Sequence, residues 1–495
     1  MTNAELKKRT VRNISFNAVA KALMFGLQAV ANIILTRTLG AGDYGLVGLA
    51  IIFMNFFTLF GDMGITNAVI RKGNLTDRDV QTGFTVRVAQ GVFLALIGIA
   101  AAPLASMVFH DPEVGRILAV FSLNFIINSF GFIPFTYLNR ELRYDRLFIP
   151  QVGYALTGSL VAITLALAGF RHWSLVFSTI SSSVAYVILL NIMRPSRLSF
   201  SFDVKVAKHF FSYGMNIFLI GFVSYALLNA GNFSIGAVLG PNALGYYTIA
   251  ATWGGMICTI ITGVVSSVLF PTFAKIQDDR DRLRNAYLRI FELIGTIAIF
   301  ANLALLSVSQ DFLYVVLGHN SDKWFPSLMA LQILCGLGIV KSIMEPGANL
   351  LMAVGNTAVP FKATLAAAIV QLSLIYPALR FGGIEGVAAL ILFSTSVQFA
   401  VYLPALRLFL GVRVRDVLAQ MRPAVFAMLF TGISFYFCAP LWGPVSLVTL
   451  LAKAAVLLAL FGTCYGFLTR WRVIHEIKGY LKGRVAVTPL HAKEI

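Results

Sequence analysis

Long apolar runs separated by short polar connectors recur from one end of this chain to the other. A helix needs roughly 20 apolar residues to cross the hydrocarbon core of a bilayer. Breaks at Gly, Pro and charge clusters divide the chain into about fourteen such segments. The first six begin near Ser15, Tyr44, Gln81, Ile117, Leu147 and Trp173. Six more begin near Phe210, Leu244, Ala286, Trp324, Pro360 and Gly383, and two last ones near Pro423 and Val445. The runs are too long for barrel strands and lack sustained inside-out alternation. The pattern predicts an all-α polytopic membrane protein.

The basic residues sort by connector. One alternate set carries clusters such as Lys7–Lys8–Arg9, Arg140–Arg143–Arg146, Arg194–Arg197–Lys205–Lys208, Lys275–Arg280–Arg282–Arg284 and Arg407–Arg413–Arg415–Arg422. The other set holds only Arg37, Arg116, Arg171, Lys323 and Arg380. Lys- and Arg-rich connectors stay in the cytoplasm. Both termini are therefore expected inside, with an even number of spans.

An internal repeat appears at an offset of 200: Asn32 aligns with Asn232, Leu39 with Leu239, Gly40 with Gly240, Gly45 with Gly245 and Ala50 with Ala250. Both stretches fall in the outer hairpin that opens a set of six spans. Two such sets in the same orientation imply lobes related by a pseudo-two-fold axis along the membrane normal, with a substrate path between them. The expected boundaries are residues 1–203 for the first lobe (helices 1–6) and 204–407 for the second (helices 7–12). Helices 13–14 then form an added pair over 408–469, and 470–495 a cytoplasmic tail.

Composition agrees. Only 12% of residues are charged, against 58% in the apolar set, whereas an average soluble domain is about 25% charged. A net charge of +18 would suggest nucleic acid in a soluble chain; here the basic residues are topology signals, and no nucleic-acid partner is expected. The four cysteines lack CxxC spacing and the six histidines lack ligand spacing, so no disulfide or metal is expected. No GxxxxGK[ST] run is present, which excludes a P-loop as the fuel site. No enzyme constellation emerges; any coupling is expected to an H+ or Na+ gradient or to downstream consumption of cargo.

Several motifs carry a resemblance. Gly61-Asp62-Met63-Gly64-Ile65 with Asn67, the run Leu269-Phe270-Pro271-Thr272-Phe273-Ala274-Lys275-Ile276-Gln277-Asp278-Asp279 with Leu283-Arg284, Asn139-Arg140-Glu141-Leu142, and Leu350-Leu351-Met352-Ala353 resemble the Wzx-type polysaccharide-export flippases of the colanic-acid branch. That family lies within the multidrug/oligosaccharidyl-lipid/polysaccharide flippase superfamily. The resemblance implies two six-helix lobes and an added hairpin in a bacterial inner membrane. It further implies transport of undecaprenyl-diphosphate oligosaccharide from the cytoplasmic to the periplasmic leaflet, with membrane lipid around it and a polysaccharide polymerase and a chain-length regulator as candidate partners. A cation-coupled multidrug exporter of the same superfamily is the alternative. A membrane-embedded polymerase is a remoter one, because it would need a larger outer loop or an acidic metal motif.

Charges inside a span are costly and mark candidate sites. Lys21 in the first span and Asp62 in the second lie at comparable depth near the cytoplasmic mouth, where an ion pair would act as a latch or a diphosphate handle; a structural bridge or a snorkelling Lys21 is the alternative. Lys341 and Glu345, four apart, share a helical face beside Pro346; the resemblance places a base at Lys341 and leaves Glu345 less regular. Asn32 and Asn232 are candidate sugar contacts, amides being both donors and acceptors, or simply interhelical glue. Arg140 and Arg143, with Arg146, would meet an entering diphosphate or merely fix topology.

Overall fold

A computed structural model describes residues 23–62, 69, 76–141, 143–196, 199–319, 321–356, 358–438 and 442–469, with backbone alone at 62, 205–224, 264–268, 270–272, 274–275 and 414. The described chain is helical throughout its long elements. These are α1 (Leu23–Thr38), α2 (Ala41–Asp62), α3 (Asp77–Phe109), α4 (Pro112–Ser129), α5 (Phe132–Arg140), α6 (Tyr144–Leu167) and α7 (His172–Met193). There follow α8 (204–239), α9 (241–275), α10 (Arg280–Ser307), α11 (Leu328–Ala353), α12 (358–382), α13 (384–410), α14 (Val414–Phe437) and α15 (Leu447–Leu468). Among the described residues, ten helices taken as continuous are long and apolar enough to cross a membrane, or eleven if the pair α4–α5, bent by 52°, counts as one span. Two of the ten are folded at a glycine, so each covers two of the segments counted in the sequence. The segment opening near Ser15 is described only from Leu23.

The helices begin a turn or so before the apolar runs because polar caps start them. Thr76 and Asp79 form a reciprocal capping box ahead of α3, Asp111 caps α4 with Pro112 at its first position, Asp279 caps α10, and Ser446 with Thr449 caps α15. An apolar run marks where hydrocarbon contact starts; a cap satisfies the N–H groups that would otherwise be orphaned. Gly240 (φ 83°) and Gly383 (φ 56°) turn α8 into α9 and α12 into α13. Both need a backbone that side chains with a Cβ resist.

Large apolar side chains face outward: Phe381 is 89% exposed and Leu408 78%. In water such a surface would aggregate; in lipid it is solvated. The protein is a multi-pass membrane protein. Its main core runs through both halves, from Leu35, Leu49 and Leu118 to Ile235, Leu244, Trp324 and Val387. A second core in the latter half joins Phe273, Tyr287 and Phe291 to Met421 and Tyr465.

The two repeats meet at their hairpins. A Cβ built on Gly45 would lie 1.8 Å from the Pro241 carbonyl oxygen, and one on Gly245 would lie 1.8 Å from the Ala41 carbonyl oxygen. Adding 200 to the first residue of one contact and subtracting 200 from the second produces the other, as a two-fold axis passing between α2 and α9 requires. Small residues four apart let the backbones touch, the usual device for close helix crossing in membranes. The end of the bundle carrying these hairpins is shut; the basic connectors lie at the opposite end.

The pair α14–α15 docks on α10 along its length. Arg284 Nη2 meets Asp416 Oδ2 at 3.0 Å, Thr296 Oγ1 donates to Tyr465 Oη at 3.2 Å, and Lys453 pairs with Asp311 just past the end of α10.

Candidate functional site: a polar cavity at one of two equivalent seams

The halves touch along two seams related by the repeat: α2 against α8, and α1 against α9. The first is zipped. Tyr225 Oη donates to the Ile52 carbonyl at 2.9 Å, Asn55 Nδ2 donates to Asn229 Oδ1 at 3.4 Å, and the Phe56 and Tyr225 rings pack at 5.6 Å. At the second seam the corresponding positions hold Phe25, Thr252, Gly255, Ala29 and Met256. Among the described residues, the tyrosine hydroxyl and both amides that bridge the first seam have no counterpart here, and a Cβ at Gly255 would meet no atom within 4 Å. A cavity of about 240 Å³ opens there, lined by Phe25, Gln28, Ala29, Asn32 and α9 residues Ala251 to Thr259.

Its chemistry suits neutral polyhydroxyl cargo. Gln28 and Asn32 offer amides. Thr252 and Thr259 donate to the Thr248 and Gly255 carbonyls at 2.7 and 3.0 Å, so their oxygens face the cavity as acceptors. Trp253 is 7% exposed, and its indole N–H has no hydrogen-bond partner among the described residues. A second cavity, about 620 Å³ between α2 and α3, is almost wholly apolar, walled by Phe56, Phe60, Phe93 and Phe202.

The shut end carries a polar clasp. Arg37 donates to the carbonyls of Val316 and Val315 at 2.8 and 3.2 Å, and Lys323 and the Trp324 indole both donate to the Thr36 carbonyl at 3.1 Å. Asp43, 4% exposed, accepts from the Gly40 N–H at 2.9 Å and faces Arg171 at 3.3 Å and His172 Nδ1 at 3.5 Å. The other nitrogen of His172 lies 3.3 Å from Glu113, which also holds Arg116. Of the five basic residues in the sparse connectors, four thus have fixed partners at this end.

The sequence-derived candidates divide. Asn32 lines the cavity; Asn232 holds the equivalent place on α8, half-buried, and is not among the lining residues. Lys21 lies outside the described residues, as does the side chain of Asp62. Lys341 is exposed on α11 and forms no ion pair among the described residues. Glu345 instead accepts from Asn349 Nδ2 at 3.2 Å. Arg143 makes a two-pronged contact with Asp145 at 3.2 and 3.4 Å, and Arg146 caps α7 by donating to the Met193 carbonyl at 3.2 Å. Arg140 ends α5, half-buried. Gln28, Thr252, Trp253 and the clasp around Asp43 went unremarked in the sequence. The repeat register was the available signal: Ala29 opposite Asn229 and Gly255 opposite Asn55 mark the seam that cannot zip.

Comparison with solved structures places the architecture. The inward closed conformation of the lipid II flippase MurJ matches with a TM-score of 0.77 at 14% identity, over 92% of this chain and 99% of that one. An inward-facing multidrug resistance MATE family transporter of the MOP superfamily matches at 0.63 and 17% identity, over 78% and 94%. The chain therefore shares the fold of these two structures. Relatives narrow it: the lipopolysaccharide biosynthesis protein WzxC of Escherichia coli (strain K12) is 24% identical over 76% of each chain. The succinoglycan biosynthesis transport protein ExoT of Rhizobium meliloti (strain 1021) is 26% identical over 78% of this chain and 77% of its own. A family model described as polysaccharide biosynthesis protein matches residues 34–328, and the chain belongs to that family.

Proposed function

We propose that this protein is a flippase that turns undecaprenyl-diphosphate-linked oligosaccharide from the cytoplasmic to the periplasmic leaflet of a bacterial inner membrane, by alternating access, and that it is not an enzyme. The observation that carries the reading is the inequality of the two seams. One is sealed by side-chain bonds and acts as the joint, while the other holds a cavity with both donors and acceptors between α1 and α9. A hydrocarbon-tethered sugar needs such a lateral slot, because its head must enter the protein while its tail stays in the bilayer. At about 240 Å³ the cavity is smaller than ordinary ligand pockets of about 300–1,000 Å³. In this state the path is constricted, and parting of the lobes (1–203 and 204–407) widens it.

With the termini and basic connectors cytoplasmic, the hairpin end is periplasmic and the structure is closed to the outside. Lys21 and Asp62 would lie near the cytoplasmic end of the path, with Lys341 further along the C-terminal lobe. Coupling to H+ or Na+ and contacts with a polymerase and a chain-length regulator belong to the same proposal. Relatives named for lipopolysaccharide, succinoglycan and teichuronic acid biosynthesis support glycan cargo over drugs. The test is deletion of the protein followed by sided analysis of lipid-linked intermediates. Accumulation of a diphosphate-linked oligosaccharide on the cytoplasmic leaflet is expected, and normal surface glycan with retained drug would overturn the reading. Lys21→Ala and Asp62→Ala should each impair export, the double variant no more than either; wild-type export in both singles removes the pair from the site.

A further inference from the structure

A cavity of about 1020 Å³ sits where α13 gives way to α14, away from either seam. Ala400, Leu403, Pro404 and Leu408 form its wall, and Arg407, Arg413 and Arg415 its mouth. Gly411, at φ 65°, makes the turn that brings the three guanidinium-bearing positions to one rim. All three arginines are exposed, and Arg407 and Arg415 form no ion pair among the described residues. Among the described residues, the acid that follows these arginines on α14 is Asp416, whose Oδ2 already accepts from Arg284 and from the Arg413 backbone N–H, each at 3.0 Å. The rim therefore carries uncompensated positive charge. Below it the wall descends one helical turn, from Arg407 to Leu403 and Pro404, into the apolar zone.

Charge at the rim above an apolar wall matches an anion carried on hydrocarbon, and neither a sugar nor a soluble ion uses both parts. We propose that this cavity binds an anionic phospholipid of the inner leaflet, its phosphodiester held by Arg407, Arg413 and Arg415 and its chains lying along Leu403 and Leu408. Guanidinium groups hold phosphate oxygens in pairs, and basic pockets between cytoplasmic helix ends are suited to lipid headgroups. The lipid would tie α14 to α13, and through Asp416–Arg284 would set how the added pair sits against α10. Placement in the inner leaflet rests on the orientation proposed above.

Native mass spectrometry of the full chain in detergent, titrated with phosphatidylglycerol and with phosphatidylcholine, tests this. Preferential binding of phosphatidylglycerol is expected, weakened about fivefold by each of Arg407→Gln, Arg413→Gln and Arg415→Gln and about a hundredfold by all three. Arg380→Gln, at the other end of the bundle, should change nothing. Leu403→Ser should weaken phosphatidylglycerol but not inorganic phosphate. Equal binding of the two lipids, or full binding by the triple variant, would overturn the proposal. So would arginine-dependent binding of undecaprenyl diphosphate without binding of phosphatidylglycerol, which would make this a cargo site. The measurement reads no transport, so its failure leaves the flippase reading intact; failure of that reading would appear in the sided analysis of intermediates.

Discussion

Replacing Gly45 with alanine puts a methyl carbon 1.8 Å from the Pro241 carbonyl oxygen. Real Cβ contacts do not fall below 3.0 Å, so α2 and α9 must part by about 1.2 Å at their crossing. The obstacle is backbone, which no rotamer change can move aside. Overpacking of this kind costs about 1–3 kcal/mol. Alanine also favours helix over glycine by up to about 1 kcal/mol, but α2 is helical whether the hairpins are joined or parted, so that gain cancels from the equilibrium between them. The hairpin-closed state should lose population by about 5- to 150-fold relative to the parted one. Gly245→Ala meets the same distance at Ala41 and should have the same effect. One displacement relieves both clashes, so the double variant should cost less than the sum. Disulfide formation between Gly42→Cys and Asn242→Cys, whose positions touch in this state, reports closure. Yield in membranes should fall in either alanine variant, and flipping of lipid-linked cargo should fall with it. Unchanged yield in both, or a large effect in one alone, would refute the two-fold crossing as the closing element.

Other expectations follow from the same geometry. Lys453→Met strands Asp311 in a buried site and should destabilise the protein by about 3–5 kcal/mol, read as a lower unfolding temperature in detergent; Lys453→Met with Asp311→Leu should recover most of it. A double-mutant cycle on Asn55→Leu and Asn229→Leu should return a coupling near 0.6 kcal/mol, ordinary for an amide bridge between membrane helices. Trp253→Phe keeps the ring packing on Phe312 (centroids 4.9 Å apart) and removes the N–H; transport should drop with little change in melting temperature. His172→Gln should loosen the clasp by about 1.5–3 kcal/mol and lower the yield of the same engineered hairpin disulfide, whereas Arg116→Gln, on an exposed pair, should shift it by less than about 1 kcal/mol.

The all-helical membrane fold, the order of helices and the repeat register were legible in the residues themselves. Hydrocarbon length and backbone satisfaction leave a chain of this composition few other solutions, and a 200-residue offset survives as residue identities even where function has diverged. Segment starts read from hydropathy fell several residues late at Gln81, Ile117 and Ala286, because caps at Thr76, Asp111 and Asp279 are polar. The site was only half visible. Asn32 was found because an amide in a span is conspicuous, but Gln28 and Trp253 look like ordinary boundary and core residues until α1 and α9 are set side by side. Likewise Asp43, His172 and Glu113 lie in three separate connectors or helix starts, and folding alone joins them. Periodicity is a property of neighbours along the chain, so it can fix the elements. Which of two equivalent seams closes depends on pairs such as Tyr225 with Ile52 and Asn55 with Asn229, more than 170 residues apart, and that choice exists only once the helices are packed.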